Sequence, residues 1–445
     1  MLIKQFERKT VFLTASSLLL ILVTSQLMAQ PKAQEWTLEA SVQQAIIVSP
    51  ELKSAIAEIG VRQADIELSS LWADPEIEFR VDNKMGQDDR AGGYDLSEIT
   101  ISQPIPISRI KYQEEAASAS MQAARFSLQY QSLKLEHRVS KVFHRLQFES
   151  AKLSLAEQQL KLANNLSGRN NSNSNIVRYL TPLEEMRLSI IREEASQAAG
   201  SAEGHYSEAF SYFVQFLGIE NNVDINVSKL LPVTKIPTLS KLSNLQNKHV
   251  QLSSQHHAVL AANHQINVAR SSQMVDPSIS FSWQKDTLST GREDVYAVMF
   301  NIQIPFSDRE NIAANKATHR ASQQKIELNL LKRELRLNLD RSHAHLKHIV
   351  EQSIHYKNKV LKPAAKMLQL TKNGFSSGEL NVLSLVDANN TYFDARLIYL
   401  ELLYQARVEL AEVRLFAGQV ITDTQYNPTF SNNLRYEINT HQVGE

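Results

Sequence analysis

Cysteine is absent from the 445 residues. That excludes disulfides, thiolate nucleophiles, Cys-ligated metals and a lipid-modified Cys behind a leader. Glycine and proline are scarce, at 13 and 12, so most of the chain is free to be helical. Charge of one sign is lacking as well. Lys and Arg number 47 and so do Asp and Glu, which removes any electrostatic reason to expect a nucleic-acid partner. No apolar run approaches the roughly 18 residues of a membrane helix. If the chain crosses a bilayer, it must do so with strands. The apolar run 11–23 follows Lys4, Arg8 and Lys9 and leads to small residues ending at Ala29. This is the pattern of a secretory signal over 1–29, cleaved after Ala29.

What is present is an order of elements that recurs about 200 residues on. Ala73-Asp74-Pro75 opens a strand in the first half and Val275-Asp276-Pro277 opens one in the second. Ile105-Pro106-Ile107-Ser108 and Ile304-Pro305-Phe306-Ser307 close the strand pairs, and Phe216-Leu217-Gly218 and Phe416-Ala417-Gly418 end helices. The expected organisation is a first repeat over 30–218, a linker over 219–245 and a second repeat over 246–418. A tail over 419–445 follows.

Each repeat predicts a helix, two strands, a very long helix, a turn and a returning helix. The first helix covers 37–71, with apolar residues at steps of three, four or seven. In the strands, Ile77, Phe79 and Val81 alternate with Glu76, Glu78 and Arg80, and Ile99 and Ile101 with Glu98, Thr100 and Ser102. In the second half Ile279, Phe281 and Trp283 alternate with Ser278, Ser280 and Ser282. Tyr296, Val298 and Phe300 alternate there with Ala297, Met299 and Asn301. At about 8 to 10 residues each, these strands suit a tilted crossing of a bilayer. The long helices cover 110–166 and 310–372, the second with Leu328, Leu331, Leu335, Leu339, Leu346 and Val350 at coiled-coil spacing. The returning helices cover 182–217 and 382–416.

Four strands cannot close a barrel, and an open edge in lipid leaves amides without partners. Three chains would give twelve strands and twelve long helices, enough to enclose a passage. The expected fold is therefore an α+β membrane protein. A hollow oligomer is expected, of two chains with eight strands or three with twelve, in which a transmembrane β-barrel runs into a long α-helical coiled-coil barrel built on an internal duplication.

The duplication, the Asp-Pro before a strand, the Ile-Pro closure and the stretch 375–392, FSSGELNVLSLVDANNTY, resemble the TolC-type outer membrane efflux protein family over almost the whole mature chain. The spacing around Ile304-Pro305-Phe306 and the missing lipid-anchor Cys resemble its cobalt-zinc-cadmium branch. The resemblance implies a homotrimeric duct in the outer membrane that extends into the periplasm. Its implied partners are a periplasmic adaptor (membrane fusion protein), an inner-membrane efflux pump of the RND type and outer-membrane lipid. It implies no cofactor and no chemistry of the chain's own. Phe79, Phe281, Trp283, Val298 and Phe300 are expected to face lipid, and Glu78, Arg80, Glu98, Ser280 and Asn301 the lumen. Gly378 and Asp387 mark the periplasmic tip and gate. The chain departs from the family at Ser384, where a second acid is usual, and at Leu380, where some members carry Arg. The first tip, 168–175, lacks the usual Gly before its return helix.

Two rival chemistries compete with this reading. His343, His345, His348 and His355 cluster in sequence, but no carboxylate stands at a helical spacing that completes a tetrahedral metal set. Glu78 and Glu98 are the paired carboxylates a glycosidase needs, yet no phosphate loop, nucleophile elbow or His-Glu-x-x-His motif accompanies them. The chain is read as no enzyme and as holding no metal. A periplasmic coiled-coil scaffold or adaptor without a pore is the alternative.

Overall fold

The computed structural model of the chain describes residues 34–82, 96–107, 109–167, 181–219, 225–272, 276–288, 291–302, 304 and 308–421. The leader, the first tip at 168–175 and all but the start of the tail lie outside the described residues. The first half runs β1 (Gln34–Trp36), α1 (Leu38–Val48), α2 (Pro50–Ser70), β2 (Glu76–Asp82), β3 (Leu96–Pro104), α3 (Arg109–Ser167) and α4 (Pro182–Phe216). The second begins β4 (Ile225–Val227), α5 (Leu239–Gln246), α6 (Val250–Ser271), β5 (Ser278–Leu288) and β6 (Gly291–Asn301). It continues through α7 (Arg309–Tyr356), a π-helical turn (Lys357–Leu361), α8 (Lys362–Ser376) and α9 (Val382–Ala417).

The helix expected over 37–71 is two helices. Ser49 caps the second by accepting from Leu52 N–H at 3.4 Å, and Pro50 occupies its first turn, where a missing N–H costs nothing. A matching break separates α5 from α6. There the buried His249 caps α6: its Nδ1 accepts from Gln251 N–H at 3.1 Å while its Nε2 lies 3.0 Å from the Leu415 carbonyl. Gly418 ends α9 at φ +73, and a Cβ on it would sit 3.0 Å from the His249 ring. The segment expected as a linker or equatorial segment, 219–245, carries β4 and most of α5. β4 pairs in parallel with β1, Trp36 opposite Val227, and so ties the two halves together.

The four longer strands form one antiparallel sheet in the order β2-β3-β5-β6. The helices form a layer beside it. α3, roughly 88 Å long at 1.5 Å per residue, packs on α2 and α4 to one side and on α6 and α9 to the other. α7 packs first on α6 and then on α9. Thus α2 and α4 make one edge of the layer, and α7 with α8 the other.

The helix expected over 310–372 is interrupted. Pro363 lacks the N–H an α-helix needs, and the Lys362 N–H reaches back five residues to the Lys357 carbonyl. Above the turn the buried stripe is a heptad: Ala314, Ala321, Leu328, Leu335, Ser342 and Ile349, with Leu339, Leu346 and Ser353 beside it. Continued unbroken, it would reach Val360, Met367 and Leu370. Below the turn the buried residues are Leu361, Ala364, Leu368, Thr371 and Phe375, each one position later. The π turn absorbs one extra residue.

Candidate functional site

The sheet registers sort the strand residues onto two faces. Ile77, Ile101, Phe281 and Val298 are opposite one another across the four strands, as are Phe79, Ile99, Trp283 and Tyr296. Phe300 pairs with Ile279 on the same side. All five residues expected toward lipid share this face, and no helix among the described residues covers it: Val298 is 75 % exposed and Phe79 is 73 %. The other face carries Glu78 opposite Thr100 and Ser282, Arg80 opposite Glu98 and Gln284, and Ser280 opposite Ser102. Asn301 lies opposite Ser278 on that side. The five residues expected toward a lumen share this face, but they are not equivalent. Ser280 is only 2 % exposed, bonded to Ser102 Oγ at 2.9 Å, whereas Glu78 and Asn301 are open. Glu78 and Glu98 do not face one another; Glu98 sits opposite Arg80 and accepts from Thr100 Oγ at 3.1 Å. The edges β2 and β6 each pair on one side only among the described residues.

At the far end, α8 and α9 meet in a tight turn. Gly378 takes φ +83, in the left-handed region that favours glycine, and the N–H groups of Glu379 and Leu380 both reach the Gly374 carbonyl, at 2.8 and 3.1 Å. Leu380, at a position where some members of the resembled family carry Arg, packs directly on Gly374: a Cβ there would lie 2.8 Å from its Cδ1. Asn381 caps α9 through the Ser384 N–H at 2.9 Å and the Ser384 hydroxyl at 3.0 Å. Ser384 is thus committed to the cap. Asp387 is exposed and stands in the second turn of α9, whose first turn holds no acid. The helix dipole acts mainly on the first turn, so it gives little reason for a carboxylate at this place. Asn389, one turn of packing deeper, is buried with its Oδ1 unpartnered among the described residues.

Between these ends α2, α3, α6 and α7 curve around a concave groove of about 1020 Å3. Its wall is mostly Ala, Ser and Gln, with Glu58, Arg62, Lys316 and Arg320 as its charges. Such a wall offers no shaped apolar pocket.

The histidines disperse into separate contacts. His343 Nε2 lies 3.0 Å from the Pro237 carbonyl, His345 pairs with Glu409 at 3.1 Å, and His137 with Glu412 at 3.0 Å. His137 holds the Glu412 carboxyl below its ordinary range. Burial pushes the His144 imidazole down to about 4. Among the described residues no three His, Cys, Asp or Glu side chains converge as a metal site. Sequence reasoning missed the capping role of His249 and the packing of Leu380 on Gly374. It also missed Glu149, a fully buried carboxylate paired with Arg145 at 2.6 Å and with Lys152 at 3.8 Å. Of these only the i,i+4 pair of Glu149 with Arg145 left a signal in the sequence.

Residues 242–419 match the model of a family described as outer membrane efflux protein. No curated protein matches the sequence. The fold is shared with solved outer-membrane proteins of low identity. The open state of the MtrE outer membrane channel of Neisseria gonorrhoeae is similar at TM-score 0.68 and 16 % identity, over 86 % of this chain and 89 % of that one. The CmeC outer membrane channel of Campylobacter jejuni gives 0.68 and 14 %, over 89 % of each. The outer membrane protein VceC of Vibrio cholerae gives 0.66 and 11 %, over 86 % of this chain and 97 % of that one.

Proposed function

We propose that this chain, a TolC-type outer membrane efflux protein by its match over 242–419 and by its fold, is the passive exit duct of a tripartite efflux system. It is held in the outer membrane and reaches into the periplasm. One observation carries the reading. The sheet leaves its apolar face bare and its serine- and glutamate-bearing face turned away, with two edges that lack partners. In water an uncovered apolar face of this kind is a liability; against lipid it is the required surface, provided the edges close.

Three copies close them, giving twelve strands around a polar lumen. Phe79, Phe281, Trp283, Val298 and Phe300 then meet lipid. Glu78, Arg80, Glu98, Ser280 and Asn301 line the exit. The helical layers of three chains continue the passage, and the turn at Gly378 with Asp387 forms its periplasmic entrance, where an adaptor and an RND-type pump deliver cargo. The chain binds no cofactor and performs no reaction. Selectivity for cargo belongs to the pump, since the groove along the helices is smooth and small-residued.

Carbonate extraction of membranes followed by cross-linking tests the reading. The full-length protein should stay in the membrane and cross-link as a trimer. A monomer released by carbonate would make it a periplasmic scaffold instead.

A further inference from the structure

The helical layer has two outer edges, whose outward faces meet no other helix among the described residues, and they differ in kind. Opposite its buried heptad, α7 leaves Ile326, Leu330, Leu337 and Ile354 between 43 % and 68 % exposed. The helices of that edge are basic as a whole: Arg309–Tyr356 carries nine Lys or Arg against five Asp or Glu, and the π turn with α8 carries five against none, although Lys316 and Arg320 line the groove. The helices of the other edge are acidic as a whole, with six Glu against two Arg on α4 and four Asp or Glu against two Lys or Arg on α2, where Glu58 and Arg62 line the groove and Glu51 pairs with Arg138. Among the described residues Glu194, Glu203 and Glu208 form no ion pair, while Glu193 is held by Arg192 at 2.9 Å.

The acidic edge also holds three glycines inside helices, Gly60 in α2 and Gly200 and Gly204 in α4. A Cβ added at any of them would meet nothing within 4 Å. Glycine inside an exposed helix is less stable than alanine, so nothing within one chain favours it there. A neighbour that comes close does.

We infer that the α2/α4 edge is a close-packed, acidic receiving surface for the basic α7–α8 edge of a second copy of this chain. The inference rests on the trimeric duct proposed above and says what steers and seats its seams. Each edge helix is joined in sequence to an edge strand: α2 leads into β2, and β6 leads into α7. One neighbour therefore completes both sheet and helical layer in the same head-to-tail sense, the kind of contact that closes into a ring. Opposite net charges attract the right edges and repel like ones before the strands pair. The apolar residues on α7 and the glycines on α4 then allow close packing. Depth fixes the partners. Leu188 of α4 shares one apolar cluster with Leu368 and Leu385, so α4 and α8 start from the same level. Counting away from it at 1.5 Å per residue, Glu194 comes level with Lys362 of the neighbouring copy, and Glu203 comes about one helical turn beyond its Lys357, within reach of a lysine side chain.

The test uses full-length protein and reads the trimer fraction by cross-linking across a salt series. Glu194→Lys with Glu203→Lys should lose the trimer at about 0.1 M salt, where charges are screened only beyond about 10 Å, and regain part of it at higher salt. Adding Lys357→Glu and Lys362→Glu should restore assembly at low salt. Gly204→Leu should lose the trimer at every salt concentration while its helical circular dichroism stays that of the wild-type chain. The inference is overturned if the first pair assembles normally at low salt, if the four-residue swap fails to restore the trimer, or if Gly204→Leu trimerises like wild type. A wild-type chain that is itself monomeric would sink the trimeric duct, a different result from a wild-type trimer indifferent to these changes.

Discussion

Ser280 and Phe281 are neighbours in sequence on opposite faces of one sheet, yet Ser280 is a poor control for what those faces meet. It is closed in against Ser102, so a large side chain there would fail for lack of space. Asn301 is the better comparison, since it shares the polar face and is exposed. An Arg on a lipid-facing strand position costs about 2 to 4 kcal/mol near the bilayer midplane. If three chains close a barrel with that face toward lipid, Phe281→Arg should therefore cut the amount of cross-linked trimer sharply, and Asn301→Arg should leave it near wild type. Equal yields on denaturing gels would mean the faces are assigned wrongly. The alternation that sorts these residues was legible in the sequence because a strand has a period of two. Burial of Ser280 was not, because it depends on which strand lies alongside.

His144 shows the same limit and gives a pH-dependence. Burial pushes its imidazole from 6.5 down to about 4, so the folded chain prefers it neutral. The unfolded chain takes up a proton as pH falls through 6.5 while the folded chain does not. Stability is thus fully present above pH 6.5 and is lost as pH falls from there toward about 4, by on the order of 3 kcal/mol. His144→Asn should melt with a shallower pH slope over that window than wild type, the difference being close to one proton. Parallel slopes would show that His144 is hydrated in the folded protein.

At the scale of elements, what the sequence displayed was periodicity and what it hid was phase. The long helices and the four membrane-length strands came from repeating patterns of seven and two. The break at Pro50 was missed because the apolar steps continue across it. The β1–β4 pair was missed because three-residue strands carry no period. The π turn was missed because apolar residues lie in both phases beyond it: Val360, Met367 and Leu370 continue the heptad, while Leu361, Leu368 and Phe375 are the ones buried. Only contact with α9 decides between them. If the turn holds one inserted residue, deleting Asn358 in a Pro363→Ala background should give a continuous α-helix with the same faces buried, and thermal melting should change little. Deleting Asn329 rotates everything after it by about 100°, which turns Leu335, Leu339 and Leu346 out of the core and should cost several kcal/mol. Equal damage from the two deletions would show that the π turn is not a simple insertion.

At the scale of the whole molecule the tip becomes a property of symmetry. One Asp387 on one exposed helix face is an ordinary solvated carboxylate, and its neighbours suggest no more: Ser384 is spent on the cap and Leu380 on Gly374. A site in the second turn gains little from the helix dipole. In a trimer the same residue recurs three times around a narrow entrance, where low-dielectric walls hold the field in the opening. A ring of three carboxylates concentrates cations at the entrance and can bind a divalent ion across it. Reversal potentials in planar bilayers under a salt gradient measure this. Wild-type channels should favour cations and be blocked from the tip side by added divalent ions. Asp387→Ala should lower the cation preference and relieve the block, with the trimer itself intact. Phe79→Ala, far off on the exposed apolar face of the sheet, should alter neither. If Asp387→Ala conducts with wild-type selectivity and block, the three carboxylates stand too far apart to act together, and the entrance is gated by the packed turns at Gly374 and Gly378 alone.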